Sequence, residues 1–328
     1  MKPNYISIFV TSNDLDKRVD VYISQKFKYL SRNRLKQLII DGFLKFNEKV
    51  INQPSFKLKE SGELSLLIPE PKKYKLLPQK LNLNIIYEDN NLIVIDKNAG
   101  TVVHPGAGNK DNTLVNALLS HCKNLSGIGG VLRPGVVHRI DKMTSGLLVF
   151  AKDDITHNSL SKQFKDKSIN REYNLLTWNQ LTNPEGVIET NIARSKLNRK
   201  KMTVTSSDAG KVAITKFSLL NSFIINEKIK ISHVKCKLLT GRTHQIRVHM
   251  SHIGNPIIGD KKYSRNNYYL NLPDYLKNFL LKNFIEPQRH ALHANFLGFY
   301  HPIKNEYLSF SSKLPEDFNI LLNKITIR

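Results

Sequence analysis

Short apolar runs bounded by turn residues recur along most of the chain, and stretches of helical period separate them. Leu147–Ala151 is such a run, directly after a Thr-Ser-Gly turn, which is the pattern of a short buried strand. Alternating apolar positions over Val212–Leu220 and Ile229–Leu239 predict two long central antiparallel strands. The mixture of strands and amphipathic helices predicts the α+β fold class.

The first 70 residues have the pattern of a small separate module. Residues 1–13 are predicted to be an arm or edge strand, and residues 14–70 a compact α/β unit. Arg32, Arg34 and Lys36 lie on the polar face of its second helix. The predicted elements are a helix at Val19–Phe27, a helix at Arg32–Ile40 capped by Ser31, a hairpin at Phe43–Val50 that turns at Asn47 and Glu48, and a strand at Leu64–Ile68.

A segment rich in proline and lysine separates this module from the rest of the chain. Residues 71–82 are predicted to be an extended basic linker, which leaves residues 83–328 as a second domain. Within that domain we expect residues 265–287 to be a peripheral insertion. Its other predicted elements are strands at 85–87, 92–95 and 171–178, helices at 114–119 after the cap Thr113, at 153–167 and at 243–253, and a C-terminal helix from Pro315.

The charge balance indicates a polyanionic partner. The 328 residues contain 50 Lys and Arg against 27 Asp and Glu, a net charge of +23. Nucleic acid is favoured over an anionic membrane because no apolar run reaches the roughly 18 residues of a spanning helix. The N-terminus has no signal-peptide pattern, and Cys122 and Cys236 are far apart. We therefore expect a cytoplasmic protein without disulfides.

One ionisable cluster lies directly before the buried strand at Leu147–Ala151. Arg139 and Asp141 belong to the stretch HRIDK, and the strand behind them would hold a carboxylate in a fixed position. A carboxylate held in this way can act in catalysis. Taken alone, however, an Arg-x-Asp triplet is more often an ordinary surface ion pair.

Basic and histidine-rich stretches allow two interpretations each. Lys200 and Lys201 belong to a basic turn, KLNRKKM, which is either a solvated loop or a surface that faces RNA. His244, His249 and His252 suggest a metal site, but no H-E-x-x-H pattern or neighbouring carboxylate accompanies them. We therefore predict no metal.

The N-terminal module resembles the alpha-L RNA-binding motif. The resemblance covers the whole stretch from LDKRVDVYI to ELSLLIP, including the helix SRNRLKQLI and the turn N-E-K-V. In that family the basic helix face lies against the RNA backbone. The resemblance thus implies phosphate contacts from Arg32, Arg34 and Lys36, which would position RNA without reading its sequence.

The remainder resembles the pseudouridine synthases of the RluA family, most closely the RluD type. Four stretches carry the resemblance in order: LNIIYEDNNLIVIDKNAGTVVHPGAGN, HRIDKMTSGLLVFAK, REYNLL and LLTGRTHQIRVHMSHIGNPIIGDKKY. The resemblance implies a catalytic domain with a mixed, mostly antiparallel sheet and a central cleft. It also implies a reaction without a cofactor, and the chain contains no P-loop or GxGxxG pattern.

The resemblance also assigns roles to individual side chains. Asp141 matches the catalytic aspartate, which acts on the ribose of a uridine that has been flipped out of its stack. Tyr173 would stack on the uracil, and Arg139 would lie near the vacated base position. Arg242 would pair with Asp141 and keep it ionised.

The substrate implied by the resemblance is large-subunit (23S) rRNA, with uridines of helix 69 as the target. Two alternatives stay open: a sister synthase with another rRNA or tRNA target, and a non-catalytic ribosome-assembly protein that kept the fold. The expected partner is rRNA, free or in a pre-ribosomal particle. We expect a monomer, since no coiled-coil pattern is present.

Overall fold

The computed structural model of the chain describes residues 4–27, 32–68, 76–106, 108–122, 124–128, 130, 133–206, 209–264 and 267–326, with the backbone alone for 32–34. The chain divides into two compact units, Met1–Tyr74 and Lys75–Arg328. Each unit has a hydrophobic core of its own.

The first unit is a four-stranded antiparallel sheet with two helices, in the strand order β1-β4-β2-β3. The predicted helices and hairpin are confirmed, and Asn47 and Glu48 turn with φ of 45° and 64°. The predicted edge strand within residues 1–13 is strand β1, while the predicted cap Ser31 lies outside the described residues. The elements are β1 Asn4–Val10, α1 Val19–Lys26, α2 Arg32–Ile40, β2 Leu44–Phe46, β3 Lys49–Ile51 and β4 Gly62–Ile68.

The second unit is built on one large sheet whose strands run β10-β9-β11-β12-β8-β13-β7-β6-β5, with β14 beside β13. All its pairings are antiparallel except the one between β13 and β7, so the predicted fold class is confirmed. The elements are β5 Ile85–Glu88, β6 Leu92–Lys97, α3 Leu114–His121, β7 Ser145–Ala151, α4 Asp154–Lys165, β8 Asn170–Trp178, β9 Glu185–Arg194, β10 Met202–Thr205, β11 Lys211–Ile224, β12 Lys230–Leu238, α5 Gln245–His252, α6 Asp274–Leu280, β13 Leu292–Tyr300, β14 Tyr307–Ser311 and α7 Glu316–Thr326.

The segment 265–287 is not the peripheral insertion that its sequence predicts. Leu276, Leu280 and Phe284 are fully buried and belong to the main core beside the central sheet. The described part packs as α6 with a short 3-10 turn before it and a π turn after it. Its leucines and phenylalanine therefore stabilise the main sheet.

The described part of the predicted linker is hydrogen-bonded to the second unit. The Gln79 backbone N–H donates to Asn116 in α3, and the Asn116 side chain donates to the Leu77 carbonyl at 2.8 Å. These bonds tie residues 77–79 to one helix instead of leaving them as a free extended chain.

Candidate active site

Asp141 lies in a loop that enters the fully buried strand β7. The backbone N–H of Thr144 closes a turn onto the Asp141 carbonyl at 3.1 Å. The Thr144 hydroxyl lies 2.7 Å from His290 Nε2, and both side chains are buried. The loop is thus fixed by two hydrogen bonds of Thr144, directly before β7.

Lys97, at the end of β6, holds the same loop from a second direction. Its ammonium group is 1% exposed and donates to the carbonyls of Asn98, Thr101 and Lys142 at 2.9 to 3.0 Å. A lysine has three N–H donors, so all of them are used. Burial lowers the pKa of the Lys97 amine to about 7. This one buried lysine joins the turn after β6 to the residue that follows Asp141.

Arg289 holds the far side of this loop. Its guanidinium donates to the Met143 carbonyl and to the Ser145 hydroxyl, each at 2.9 Å. Its Nε pairs with Asp317 of α7 at 3.0 Å, which supplies the buried arginine with a counter-ion. The C-terminal helix is thereby linked to the position of the catalytic loop.

Arg247 of α5 is the ion-pair partner of Asp141, and the predicted pair with Arg242 is wrong. Arg247 donates one N–H to Asp141 Oδ2 at 2.8 Å and two to the buried Asp260, at 2.7 and 2.9 Å. Arg242 instead donates its Nε to the Val212 carbonyl at 2.9 Å. The planar guanidinium binds Asp260 with two N–H groups of its fixed fork and Asp141 with a third N–H group, a geometry that an ammonium group does not have.

This arrangement keeps Asp141 ionised. Burial by itself raises the pKa of the Asp141 carboxyl. His244 and His290, which carry charge only in acid, together with the charge and the hydrogen bond of Arg247, outweigh burial and hold the pKa below its ordinary value. At neutral pH the permanent charge among them is that of Arg247. The carboxylate side chain is still 19% exposed. It is therefore both charged and open to a substrate.

His244 lies on the other side of Asp141. Its Nε2 is 3.9 Å from Asp141 Oδ2, and its Nδ1 is 2.6 Å from the Tyr263 hydroxyl. Burial lowers the pKa of His244 to about 4, so the ring is neutral at neutral pH. Because the Tyr263 hydroxyl can donate to Nδ1, the ring proton is assigned to Nε2, the nitrogen that faces Asp141.

His244 reaches this position through an unusual backbone conformation. Its φ is 56°, in the left-handed region, directly before α5. The ring of Tyr263 also packs against Arg247, with 5.0 Å between the guanidinium carbon and the ring centroid. The two neighbours of Asp141 on α5 are therefore supported by a single tyrosine.

All the predicted catalytic side chains line one cleft. Asp141 and Tyr173 face it together with Arg139 and Arg242, and Ile246 and Leu292 supply apolar wall. Tyr173 is 5% exposed on β8, and burial raises the pKa of its hydroxyl. The cleft has an ionised carboxylate, a neutral phenol and three arginines, Arg139, Arg242 and Arg247, which suit a nucleotide with its base and phosphates.

The other predicted RNA-binding residues belong to the turn between β9 and β10 and to helix α2. Lys200 and Lys201 form the turn between β9 and β10, as predicted, and Lys201 lines a separate surface pocket with Lys262 and Tyr263. Lys36 is exposed on α2, where Leu35 and Leu38 are buried. The side chains of Arg32 and Arg34 lie outside what the structure describes.

Two of the three histidines that suggested a metal site, His244 and His249, are hydrogen-bonded to other side chains. His249 is hydrogen-bonded to Thr190 and Thr215, at 3.0 and 2.9 Å, and His244 to Tyr263. Within the described ranges, potential metal-ligating side chains converge elsewhere, at Glu88, His121 and Cys122. There the ammonium of Lys152 lies 2.7 Å from the Glu88 carboxylate and already balances its charge.

Sequence reasoning missed Arg247, Asp260 and Lys97. Arg247 follows the apolar Ile246 within the predicted helix at 243–253, and a charged residue next to a buried apolar position was the available signal. Nothing local identifies Asp260 as its partner, since the two meet only when α5 folds against the turn that follows it.

Among the described residues, no helix combines the length and apolar character needed to cross a bilayer.

Two family models match the chain. The model described as RNA pseudouridylate synthase matches residues 91–252, and the S4 domain model matches residues 17–64. The second match covers most of the module predicted to bind RNA.

Named relatives match this chain over nearly its full length. "Ribosomal large subunit pseudouridine synthase D" of Zymomonas mobilis is 42% identical over 98% of this chain and 97% of its own. The protein of the same name from Pseudomonas aeruginosa is 40% identical over 94% of this chain and 91% of its own. "Uncharacterized RNA pseudouridine synthase YlyB" of Bacillus subtilis is 38% identical over 98% of both chains.

Solved structures agree on the fold. "Human RNA Pseudouridylate Synthase Domain Containing 4" is 26% identical and covers 75% of this chain and 94% of its own, with a TM-score of 0.55. "Human RNA Pseudouridylate Synthase Domain Containing 1" is 22% identical and covers 79% of this chain and 98% of its own, with a TM-score of 0.54. With an ionised Asp141 and Tyr173 in one cleft, the chain belongs to the RNA pseudouridylate synthase family, in its RluD-type branch with an N-terminal S4 domain.

Proposed function

We propose that this synthase converts uridines of large-subunit (23S) rRNA, in helix 69, to pseudouridine in the cytoplasm. The named relatives from Zymomonas and Pseudomonas support the substrate, because their similarity extends over more than nine-tenths of both chains. The net charge of +23 and the S4 domain support binding to a large RNA. The HPGAGN loop supports the RluD-type target within the family.

The ion pair between Asp141 and Arg247 carries the proposed chemistry. Uridine must leave its stack to reach a carboxylate that lies in a cleft. Asp141, ionised, acts on the ribose, so that the N1–C1′ bond breaks and the uracil is released but stays in the cleft. The base rotates, the C5–C1′ bond forms, and C5 loses a proton while N1 gains one. Atoms and electrons balance, and no cofactor is consumed.

The neighbouring side chains have distinct proposed roles. Tyr173 stacks on the uracil and helps to remove the C5 proton. Arg139 occupies the space that the flipped base leaves. Arg247 orients Asp141 and keeps it charged, which is the role that the sequence assigned to Arg242. Arg242, exposed at the cleft mouth, contacts RNA instead.

A strain in which the gene for this protein is deleted tests both the rRNA target and the catalytic role of Asp141. Pseudouridines in its large-subunit rRNA are mapped by carbodiimide modification and primer extension, before and after complementation. Wild type should restore the missing sites in helix 69. Asp141→Asn should restore none of them and should still bind the rRNA, because the substitution is isosteric. An unchanged map in the deletion strain would show that the target is another RNA, and turnover by Asp141→Asn would remove Asp141 from the chemistry.

A further inference from the structure

Arg171, on β8 beside the active site, is a buried cation without a counter-ion. It is 9% exposed, and its Nε is enclosed with no hydrogen-bond partner. Among the residues that the structure describes, its side chain forms no ion pair and no hydrogen bond. Its visible contact is a stack on the ring of Phe164, 5.2 Å from guanidinium carbon to centroid.

The other buried arginines show that this state is exceptional here. Arg247 pairs with Asp141 and Asp260, and Arg289 pairs with Asp317. A buried guanidinium with no such partner is unfavourable, because water is removed and nothing replaces it. In agreement, burial lowers the pKa of Arg171, and no carboxylate opposes the effect. A fold that retains such a group gains nothing in stability from its charge.

Arg171 faces a pocket that continues from the catalytic cleft. The pocket has a volume of about 330 Å³ and shares Asp141, Tyr173 and Arg139 with the cleft. Four cations line it: Arg139, Lys165, Arg171 and Arg242. Among the described residues that line it, the one carboxylate is Asp141, which pairs with Arg247.

The geometry of β8 fixes the relation between this pocket and the reacting base. Arg171 and Tyr173 are two residues apart on one strand, so they point to the same face, about 7 Å apart. In the proposed complex Tyr173 stacks on the uracil, and Arg171 lies beside it. Gly241 covers the guanidinium so closely that an added Cβ would lie 3.0 Å from an Arg171 terminal nitrogen.

We propose that Arg171, with Arg139, Lys165 and Arg242, binds the backbone phosphate of the nucleotide next to the flipped uridine. This phosphate site rests on the proposed action of Asp141 on a flipped nucleotide. A phosphate presents oxygens that match the arginine fork, and it brings the missing negative charge with the substrate. The buried cation is thus satisfied only in the complex, so its pairing energy contributes to holding the target and not to the stability of the free enzyme.

Arg171→Met tests this assignment, because methionine can keep the packing on Phe164 without the charge. The control is Lys228→Met, which removes an equal charge from an exposed turn between β11 and β12. Binding of a 23S rRNA transcript is measured from low to high salt. We expect Arg171→Met to bind about 10- to 100-fold more weakly and to lose about 0.7 to 0.9 from the salt slope. We expect its thermal midpoint without RNA to be unchanged or higher, while Lys228→Met behaves as wild type.

The second measurement uses chemically modified RNA substrates, and both the wild-type protein and Arg171→Met are tested for binding. Single methylphosphonates, which remove one backbone charge, are placed on either side of the target uridine in a synthetic RNA hairpin. One of them should weaken wild-type binding as much as Arg171→Met does, and it should weaken the variant no further. Additive losses, or no loss at either position, would overturn the phosphate site.

The two proposals fail separately. An unchanged pseudouridine map in the deletion strain removes the rRNA target. A lowered thermal midpoint with the wild-type salt slope, by contrast, would show that Arg171 is only structural, and it would leave the target untouched.

Discussion

Removing Arg247 should change the charge state of Asp141, and removing Arg242 should not. Arg247→Met deletes the group that donates to Asp141 Oδ2 at 2.8 Å and also binds Asp260 through two N–H groups. Arg242→Met is the matched control, since Arg242 lines the same cleft but donates to the Val212 carbonyl. The two variants separate the partner predicted from the sequence from the partner found in the structure.

The magnitude follows from the geometry. An opposite charge at this distance lowers a carboxyl pKa by about 1–3 units, and each unit corresponds to about 1.4 kcal/mol. Without Arg247, burial raises the pKa of Asp141, and the ionised form is lost as the pH falls through the raised value. The acid limb of the rate profile should therefore move up by about 1–3 pH units, so that activity is lost in mildly acidic buffer and returns as the pH is raised toward neutral.

Stability must be measured alongside activity. Arg247→Met leaves the fully buried Asp260 without its cation, which costs about 3–5 kcal/mol. Arg247→Lys is the second variant, because lysine keeps the positive charge but loses the two-pronged hydrogen bond to Asp260, so the fold should be retained more fully.

Tritium release from RNA labelled at uridine C5 gives the rate as a function of pH under single-turnover conditions. We expect a displaced acid limb in Arg247→Met, an intermediate one in Arg247→Lys and the wild-type limb in Arg242→Met. A displaced limb in Arg242→Met, or an unmoved limb in Arg247→Met, would refute the electrostatic argument.

Three further predictions concern stability and RNA affinity. Lys97→Met should cost about 2–4 kcal/mol in urea unfolding, because three buried carbonyls lose their donor; a cost below about 1 kcal/mol would contradict that role. Gly146→Ala should cost about 3 kcal/mol or more, since φ is +115° and a Cβ would collide with the backbone of Ala294 across the parallel pairing; wild-type stability would contradict the close approach. Lys36→Met, on the exposed face of α2, should lower the salt slope of rRNA binding by about 0.7 to 0.9 with unchanged turnover at saturating RNA; an unaltered slope would show that this helix face does not contact phosphate.

Local patterns predicted the elements that depend on local chemistry. The hairpin at Asn47 and Glu48 follows from two residues that tolerate positive φ between apolar strands. The strand Ser145–Ala151 is buried at every position, as its apolar run indicates. Thr113 caps α3 through its hydroxyl, as its position before an apolar period predicts.

Burial of the segment 265–287 could not be predicted in the same way. Its leucines and aromatic residues do show an apolar surface, but a sequence does not show which other surface covers it. Leu276, Leu280 and Phe284 are core residues because the main sheet places its own apolar side chains against them.

The sequence by itself determined two units, an acidic residue before a buried strand, and the motifs that carry the family resemblance. The tertiary structure decided which positively charged side chain pairs with that carboxylate. Arg242 and Arg247 are five residues apart in one motif, but only Arg247 lies on the helix face that turns toward Asp141 and Asp260. The same holds for Arg171, whose missing counter-ion becomes visible only when its surroundings are assembled. Charge pairing depends on distances of a few ångströms between segments far apart in the chain, and no local pattern specifies those distances.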